Sequence, residues 1–198
     1  SFDDATRQRL ARLREIQTLE PRMPRGFAAT LRPYQRDGFV WLARLAEAGL
    51  GACLADDMGL GKTVQALALL AHRAKQGPAL VVCPTSVVLN WVAEAARFAP
   101  TLRIVPLATA EDRAAAVRDA GPRDVVVCSY TLLGAEIETL AAARFATAVF
   151  DEAHALKNPR TLRATAARRI DADFRLGLTG TPLENHLGEL WSLFATLV

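Results

Sequence analysis

A chain of 198 residues with 51% hydrophobic and 23% charged side chains is long enough for one domain with a sizeable core, and its composition excludes a disordered or fibrous protein. No apolar run approaches the roughly 20 residues of a membrane span, and the acidic start Ser1-Phe2-Asp3-Asp4 lacks the basic-then-apolar order of a secretion signal, so a cytoplasmic protein without a membrane partner is expected. A net charge of +3 permits a nucleic-acid partner but excludes binding by bulk basicity alone.

Residues 1–30 differ in character from the rest and are predicted to form an N-terminal helical extension. Arg7, Arg9, Arg12 and Arg14 surround Leu10, Leu13 and Ile16 on a basic helix, followed by a loop with Pro21 and Pro24; the helix reads either as a solvated face or as a nucleic-acid contact. From 31 to 198 short β-rich runs alternate with longer amphipathic ones. Strands are predicted over Ala52–Ala55, Ala79–Cys83, Arg103–Leu107, Val125–Cys128, Thr147–Phe150 and Arg175–Thr179, and helices over Thr63–Lys75, Ser86–Phe98, Ala110–Arg118 and Leu187–Leu197. Several strands are apolar throughout, which suits strands covered on both faces. Gly77-Pro78, Gly121-Pro122 and Asn158-Pro159 stand where helical patterns stop. The order βαβα implies an α/β fold, a doubly wound, mostly parallel sheet with helices on both faces. Cys53, Cys83 and Cys128 stand singly in apolar runs without the spacing of a zinc site or disulfide framework, and are expected to be buried thiols.

The strongest local signal is Asp56-Asp57-Met58-Gly59-Leu60-Gly61-Lys62-Thr63, placed between a predicted strand and a predicted helix. Gly59 and Gly61 allow the backbone to curl until successive N–H groups face phosphate oxygens, and the following helix adds its positive N-terminal end. Lys62 is then placed to reach β- and γ-phosphates, and Thr63 to offer its hydroxyl to Mg²⁺. Asp56 stands where the common pattern has its first glycine. A second acidic signal, Asp151-Glu152 after the apolar Val149-Phe150, falls at a strand end, where α/β sheets present ligand groups. Asp151 suits a Mg²⁺ shell and Glu152 the activation of a water; alone, the two read equally well as a helix N-cap. With Lys62 they describe a nucleotide hydrolase site.

Asp151-Glu152-Ala153-His154 spells a DEAH box, and here the sequence resembles the superfamily-two helicases, specifically the SWI/SNF-related DNA translocases. Leu31 to Gly38, with Arg32 and Gln35, is similar to that family's adenine-recognition segment. Cys83-Pro84-Thr85-Ser86 with Asn90-Trp91 resembles its first nucleic-acid motif, and Ser129-Tyr130 the next. Leu156-Lys157-Asn158 and Leu178-Thr179-Gly180-Thr181-Pro182-Leu183-Glu184-Asn185 complete the set, and Asp56 is itself the family's form. Glu184 and His186 depart from it, standing where Gln and Asn are common.

The resemblance implies a RecA-like ATP-binding lobe over 31–198, ATP and Mg²⁺ as cofactors, and double-stranded DNA as the track. The Gln35 amide has the donor and acceptor to read adenine. Arg32, Asp57 to Thr63 and His154 fall to the nucleotide, with Lys62, Asp151 and Glu152 catalytic and Thr63 and Asp151 on the metal. Pro84, Thr85, Ser86, Asn90, Trp91, Ser129, Tyr130, Lys157 and Asn158 fall to nucleic acid, and Thr179, Gly180 and Thr181 to coupling. Other readings stay open: the hydroxyls of Thr85, Ser86, Ser129 and Tyr130 as helix caps, Trp41 and Trp91 as core or lobe-packing aromatics, and His154 as a hydrogen-bonded neighbour of the site rather than a sensor of γ-phosphate or Thr179. The family's motor has two such lobes, so a second lobe of the same protein is an expected partner and hydrolysis by this lobe alone is expected to be weak. The Ala- and Arg-rich composition fits a bacterial, nucleoid-associated protein, for which a DNA-bound complex such as RNA polymerase is a further expected partner. A strand-separating or RNA-dependent member of the same superfamily, or a nucleotide-gated scaffold, are the rival readings.

Overall fold

The computed structural model describes residues 16–57, 59–180 and 194–197. The expectations for Arg7, Arg9, Arg12 and Arg14, for Met58, and for Thr181 to Asn185 and His186 lie outside the described residues, as does most of the helix predicted over Leu187–Leu197.

Six strands form one parallel sheet: β1 (Ala52–Ala55), β2 (Ala79–Cys83), β3 (Arg103–Pro106), β4 (Asp124–Ser129), β6 (Thr147–Asp151) and β8 (Arg175–Thr179), in the order β1-β8-β6-β2-β4-β3. A separate parallel pair joins β5 (Arg144–Phe145) to β7 (Asp171–Ala172). Every residue of β2 is buried, because helices cover both faces. On one face lie α1 (Pro33–Glu47), α2 (Lys62–Arg73) and α3 (Val88–Phe98), whose Phe39, Leu42, Leu67, Leu69 and Trp91 meet Val81, Val127 and Val149 of the sheet. On the other lie α4 (Arg113–Arg118), α5 (Tyr130–Ala135), α6 (Ile137–Ala141) and α7 (Leu162–Arg169), packed through Val117, Leu133, Leu140 and Ala167 onto Leu80, Val126, Ala148 and Phe150. Alternate side chains of each strand thus enter opposite cores, which is the doubly wound architecture expected. Residues after Ile16 are tied to this body: Ala28 N–H donates to Phe98 O and Arg44 Nε donates to Leu19 O.

Helix boundaries follow caps. The predicted helix from Ala110 begins at Arg113, because the Asp112 carboxylate accepts from Ala115 N–H and sets the N-cap. The helix predicted from Ser86 opens with a 3₁₀ turn, Thr85–Val87, before α3. Of the three thiols, Cys83 and Cys128 are buried as expected and Cys53, near the sheet edge, is only half-buried.

The strand register decides the rest. Ala55 pairs with Thr179, Leu178 with Asp151, Phe150 with Val82, and Cys83 with Ser129. The segments carrying Lys62, Asp151, Thr179, Thr85 and Ser129 therefore all leave the sheet at one edge, the carboxyl ends of parallel strands where α/β folds bind ligands.

Candidate nucleotide site

After β1 the chain turns through two left-handed glycines, Gly59 at φ +83° and Gly61 at φ +78°, a conformation that a side chain would strain. Gly61 also admits a close neighbour, since a Cβ there would lie 2.5 Å from Gln35 Nε2. Lys62 opens α2 and its ammonium spans the loop, donating to Asp56 O at 2.7 Å and Asp57 O at 3.0 Å. Thr63, half-buried, follows on the first turn of α2.

Gln35 anchors the loop from α1. Its Oε1 accepts from Arg32 N–H at 3.0 Å and its Nε2 donates to Leu60 O at 3.0 Å, a carbonyl that the Tyr34 hydroxyl also reaches at 3.0 Å. The residue expected to read adenine is thus held against the phosphate loop itself, only 9% exposed, with its second amide N–H 3.5 Å from the Tyr34 hydroxyl and one Oε1 lone pair left over. Arg32 lies beside it, exposed at the helix start. Behind the loop, Gln65 is 1% exposed; its Nε2 lies 3.5 Å from Asp56 Oδ2 and 3.5 Å from Gly61 O. Gln65 Oε1 has no hydrogen-bond partner among the described residues and abuts Gly38 of α1, where a Cβ would stand 2.0 Å from it. The sequence reading missed Gln65; its signal was a polar residue on the buried face of a helix whose neighbours Val64, Ala66 and Leu67 are apolar.

At the end of β6, Asp151 is gripped on both carboxylate oxygens: Oδ2 accepts from Trp91 Nε1 at 2.9 Å and Oδ1 from Glu152 N–H at 2.9 Å. Burial raises its pKa above the ordinary aspartate range, partly offset by these two donors and by the Lys62 charge. Glu152 adopts φ +50°, ψ +51°, left-handed backbone that is uncommon for a non-glycine residue and collects at functional sites. The short 3₁₀ helix Ala153–Leu156 follows, so neither acid is an α-helix cap. His154 Nδ1 lies 3.2 Å from Glu152 Oε2 with the side chain half exposed, and the ring is thereby turned to Glu152. Thr179, 1% exposed, and half-buried Gly180 end β8 on the same edge.

Of the residues expected to touch nucleic acid, the structure separates those that face outward from those that do not. Thr85, Ser86, Asn90 and Asn158 are exposed, Pro84 and Lys157 half-buried. Ser129 caps α5, its hydroxyl accepting from Leu132 N–H. Trp91 and Tyr130 are buried, at 2% and 4% exposure, which favours the core reading also open for Trp91 over contact with a track. One residue of helix, about 100° of rotation, turns Trp91 inward while Asn90 points out. Tyr130 instead donates its hydroxyl to Asp151 O at 2.8 Å. Trp41, 43% exposed on α1, is not a core residue, which leaves the lobe-packing reading. The buried Cys83 and Cys128 thiols are pushed up to about 12 by desolvation, with Asp151 adding to the effect on Cys83.

A left-handed glycine loop opening a helix with a lysine, set beside a strand-end carboxylate pair, defines a P-loop nucleotide-binding lobe. The SNF2-related domain model matches residues 34–198, and the chain belongs to that family. It is 42% identical over 184 residues to a putative ATP-dependent helicase/translocase, YwqA, of Bacillus subtilis, with 88% of this chain and 20% of that protein covered. It is 40% identical to the ISWI chromatin-remodeling complex ATPase CHR17 of Arabidopsis thaliana, covering 85% of this chain and 16% of that one. The SWI2/SNF2 ATPase core of Sulfolobus solfataricus, solved in complex with dsDNA, superposes with a TM-score of 0.79 at 38% identity, covering 90% of this chain and 38% of that one. The chain therefore spans well under half the length of these relatives.

Proposed function

We propose that this chain is the ATP-binding lobe of an ATP-dependent double-stranded DNA translocase, and that Lys62, Asp151 and Glu152 form its hydrolytic centre. The observation that carries the reading is the convergence of the Lys62 loop, the Asp151-Glu152 strand end and Thr179 on one sheet edge, in a chain similar to an ATPase core solved with dsDNA.

The donor set fits ATP with Mg²⁺. Lys62 holds its ammonium on Asp56 O and Asp57 O, neutral acceptors that phosphate oxygens outbid through charge. The Thr63 hydroxyl and the Asp151 carboxylate are the residues that would hold the ion, which supplies charge neutralisation to the phosphates when bound. Trp91 and Glu152 N–H occupy one lone pair on each Asp151 oxygen and aim the others. Glu152, hinged out of the strand by its left-handed backbone, orients a water and takes its proton, with His154 as its neighbour. Gln35 selects the base with its amide, and the exposed Arg32 lies beside it. Thr85, Ser86, Asn90, Lys157 and Asn158 contact the phosphate backbone, which positions a protein without reading sequence.

A second lobe closes the site and supplies arginine fingers; such a finger is worth about 10³ to 10⁵ in rate. The test is ATP turnover with duplex, single-stranded and no DNA, on residues 1–198 and on a chain that adds the second lobe. Strong duplex stimulation only with both lobes is the expected result. Stimulation by single strands with unwinding would replace the translocase by a strand-separating helicase, and ATP binding without turnover in either chain would replace it by a scaffold.

A further inference from the structure

Asp151 is fastened from two sides, and each fastener belongs to a segment whose neighbouring residues face solvent. Trp91 stands on the first turn of α3, next to the exposed Asn90 and five residues after the exposed Ser86. Tyr130 stands on the first turn of α5, next to the half-buried Ser129. Both side chains run inward and end on the same residue: the indole N–H on Asp151 Oδ2 at 2.9 Å, the phenol on Asp151 O at 2.8 Å.

The two bonds act on different parts of the centre. Trp91 fixes the carboxylate, because rotating it would break the indole bond together with that from Glu152 N–H. Tyr130 fixes the peptide between Asp151 and Glu152, whose carbonyl it holds and whose N–H bonds back to Oδ1. That peptide sets the direction of both acids. Hydrogen bonds to a carboxylate are strong and directional, and rings packed at 2% and 4% exposure move with the helices that carry them.

We propose that Trp91 and Tyr130 are positioning residues that set the direction of the Asp151 carboxylate and the Asp151-Glu152 peptide, and that occupancy of the outer face at Thr85, Ser86 and Asn90 acts on them through Trp91. The proposal rests on the reading of that face as the duplex contact. Seating a phosphate backbone at the start of α3 shifts the Trp91 donor while Tyr130 holds the adjoining peptide, so the track is read at the acid that would hold the metal. Their burial separates this role from direct contact with the track.

The experiment uses the protein that carries both lobes, with ¹⁵N-labelled indoles, the Trp91 signal being assigned by its loss in Trp91→Phe. A duplex oligonucleotide, with binding followed separately by fluorescence anisotropy, is expected to shift the Trp91 indole resonance and to leave that of Trp41 in place. Trp91→Phe and Tyr130→Phe each remove one donor and keep a ring, the second with almost no change in shape. Both should bind duplex as the parent does, while the Mg²⁺ concentration for half-maximal ATP turnover rises about tenfold, the scale for losing a residue that orients a metal ligand, and duplex stimulation falls. If duplex binds, the Trp91 signal stays still and both variants keep the parent's Mg²⁺ dependence and stimulation, the coupling is wrong and the proposed function stands. If duplex does not bind at all, both fall together.

Discussion

The two ends of the sheet treat their cations in opposite ways. At the carboxyl end Lys62 is half-buried and holds two loop carbonyls with a single ammonium. At the other end Arg73, 5% exposed, seals the base of α2: its guanidinium donates to Thr147 Oγ1 and Ala146 O at 3.0 Å each and stacks over Phe174. Arg175 at the start of β8 binds the carbonyls of Ala167, Arg168 and Ile170, which end α7, and that of Thr196. The arginines meet neutral acceptors in fixed, many-toothed geometry and have no free partner to gain. Lys62 has two bonds to neutral carbonyls, which on the proposed reading a more highly charged acceptor replaces. One end is built for permanence, the other for exchange.

Substitution of Lys62 by Ala should sharpen that contrast most. ATP turnover in the two-lobe protein is expected to fall by about 10³-fold or more, as when a charge-stabilising donor is lost, while stability changes by no more than about 0.5 kcal/mol. Isothermal titration with ATP and thermal unfolding read the two effects; an unfolded variant would show that Lys62 belongs to the permanent kind. Arg73→Ala should do the reverse. It orphans two buried acceptors and opens a void, for an expected loss of about 2–3 kcal/mol, with ATP affinity per folded molecule unchanged. Arg73→Met, which fills the space, should recover part of that loss.

Gly38→Ala tests where the two kinds of contact meet. Its methyl would stand 2.0 Å from Gln65 Oε1, and Gln65, buried at 1% exposure, rests its amide nitrogen against Asp56 and Gly61 of the phosphate loop. A loss of about 1–3 kcal/mol from overpacking is expected, accompanied by weaker ATP binding. Lost stability with unaltered ATP affinity would mean that Gln65 is a filler of α1 and α2 and not a support of the loop.

What the sequence could show follows from which forces are local. The strands Ala52–Ala55, Ala79–Cys83 and Arg175–Thr179 are where hydrophobic pattern places them, since a strand covered on both faces announces itself as an apolar run. The phosphate loop was legible because its glycines and lysine are contiguous. Short helices such as Leu162–Arg169, with little apolar periodicity, were not: α7 is held by the Thr161 cap and by Arg175, thirteen residues from its start. Nor were the bonds that Trp91 and Tyr130 make. Their partner Asp151 is 60 and 21 residues away along the chain, and only the strand order brings them together.

The weakest expected effect belongs to an ion pair at the amino end, and pH isolates it. Asp124 at the start of β4 accepts from Arg103 Nε at 2.6 Å, from Arg103 Nη2 at 2.5 Å and from Gly121 N–H at 2.8 Å. The Arg103 hydrogen bonds hold its carboxyl below the usual aspartate range against the opposing effect of burial. The Asp124 side chain is 8% exposed but that of Arg103 is 69% exposed, so solvent screens the pair and its contribution is on the order of 1 kcal/mol. Because the folded pKa is depressed, that contribution is fully present above the unfolded value of about 3.9 and disappears as pH falls through the folded value. Asp124→Asn should therefore unfold at lower urea than the parent at pH 7, and the gap should narrow as pH falls from about 4 to 2. A gap that stayed constant across that range would assign the loss to the Gly121 turn, which Asn also holds imperfectly, and would leave the Arg103 charge without a stabilising role.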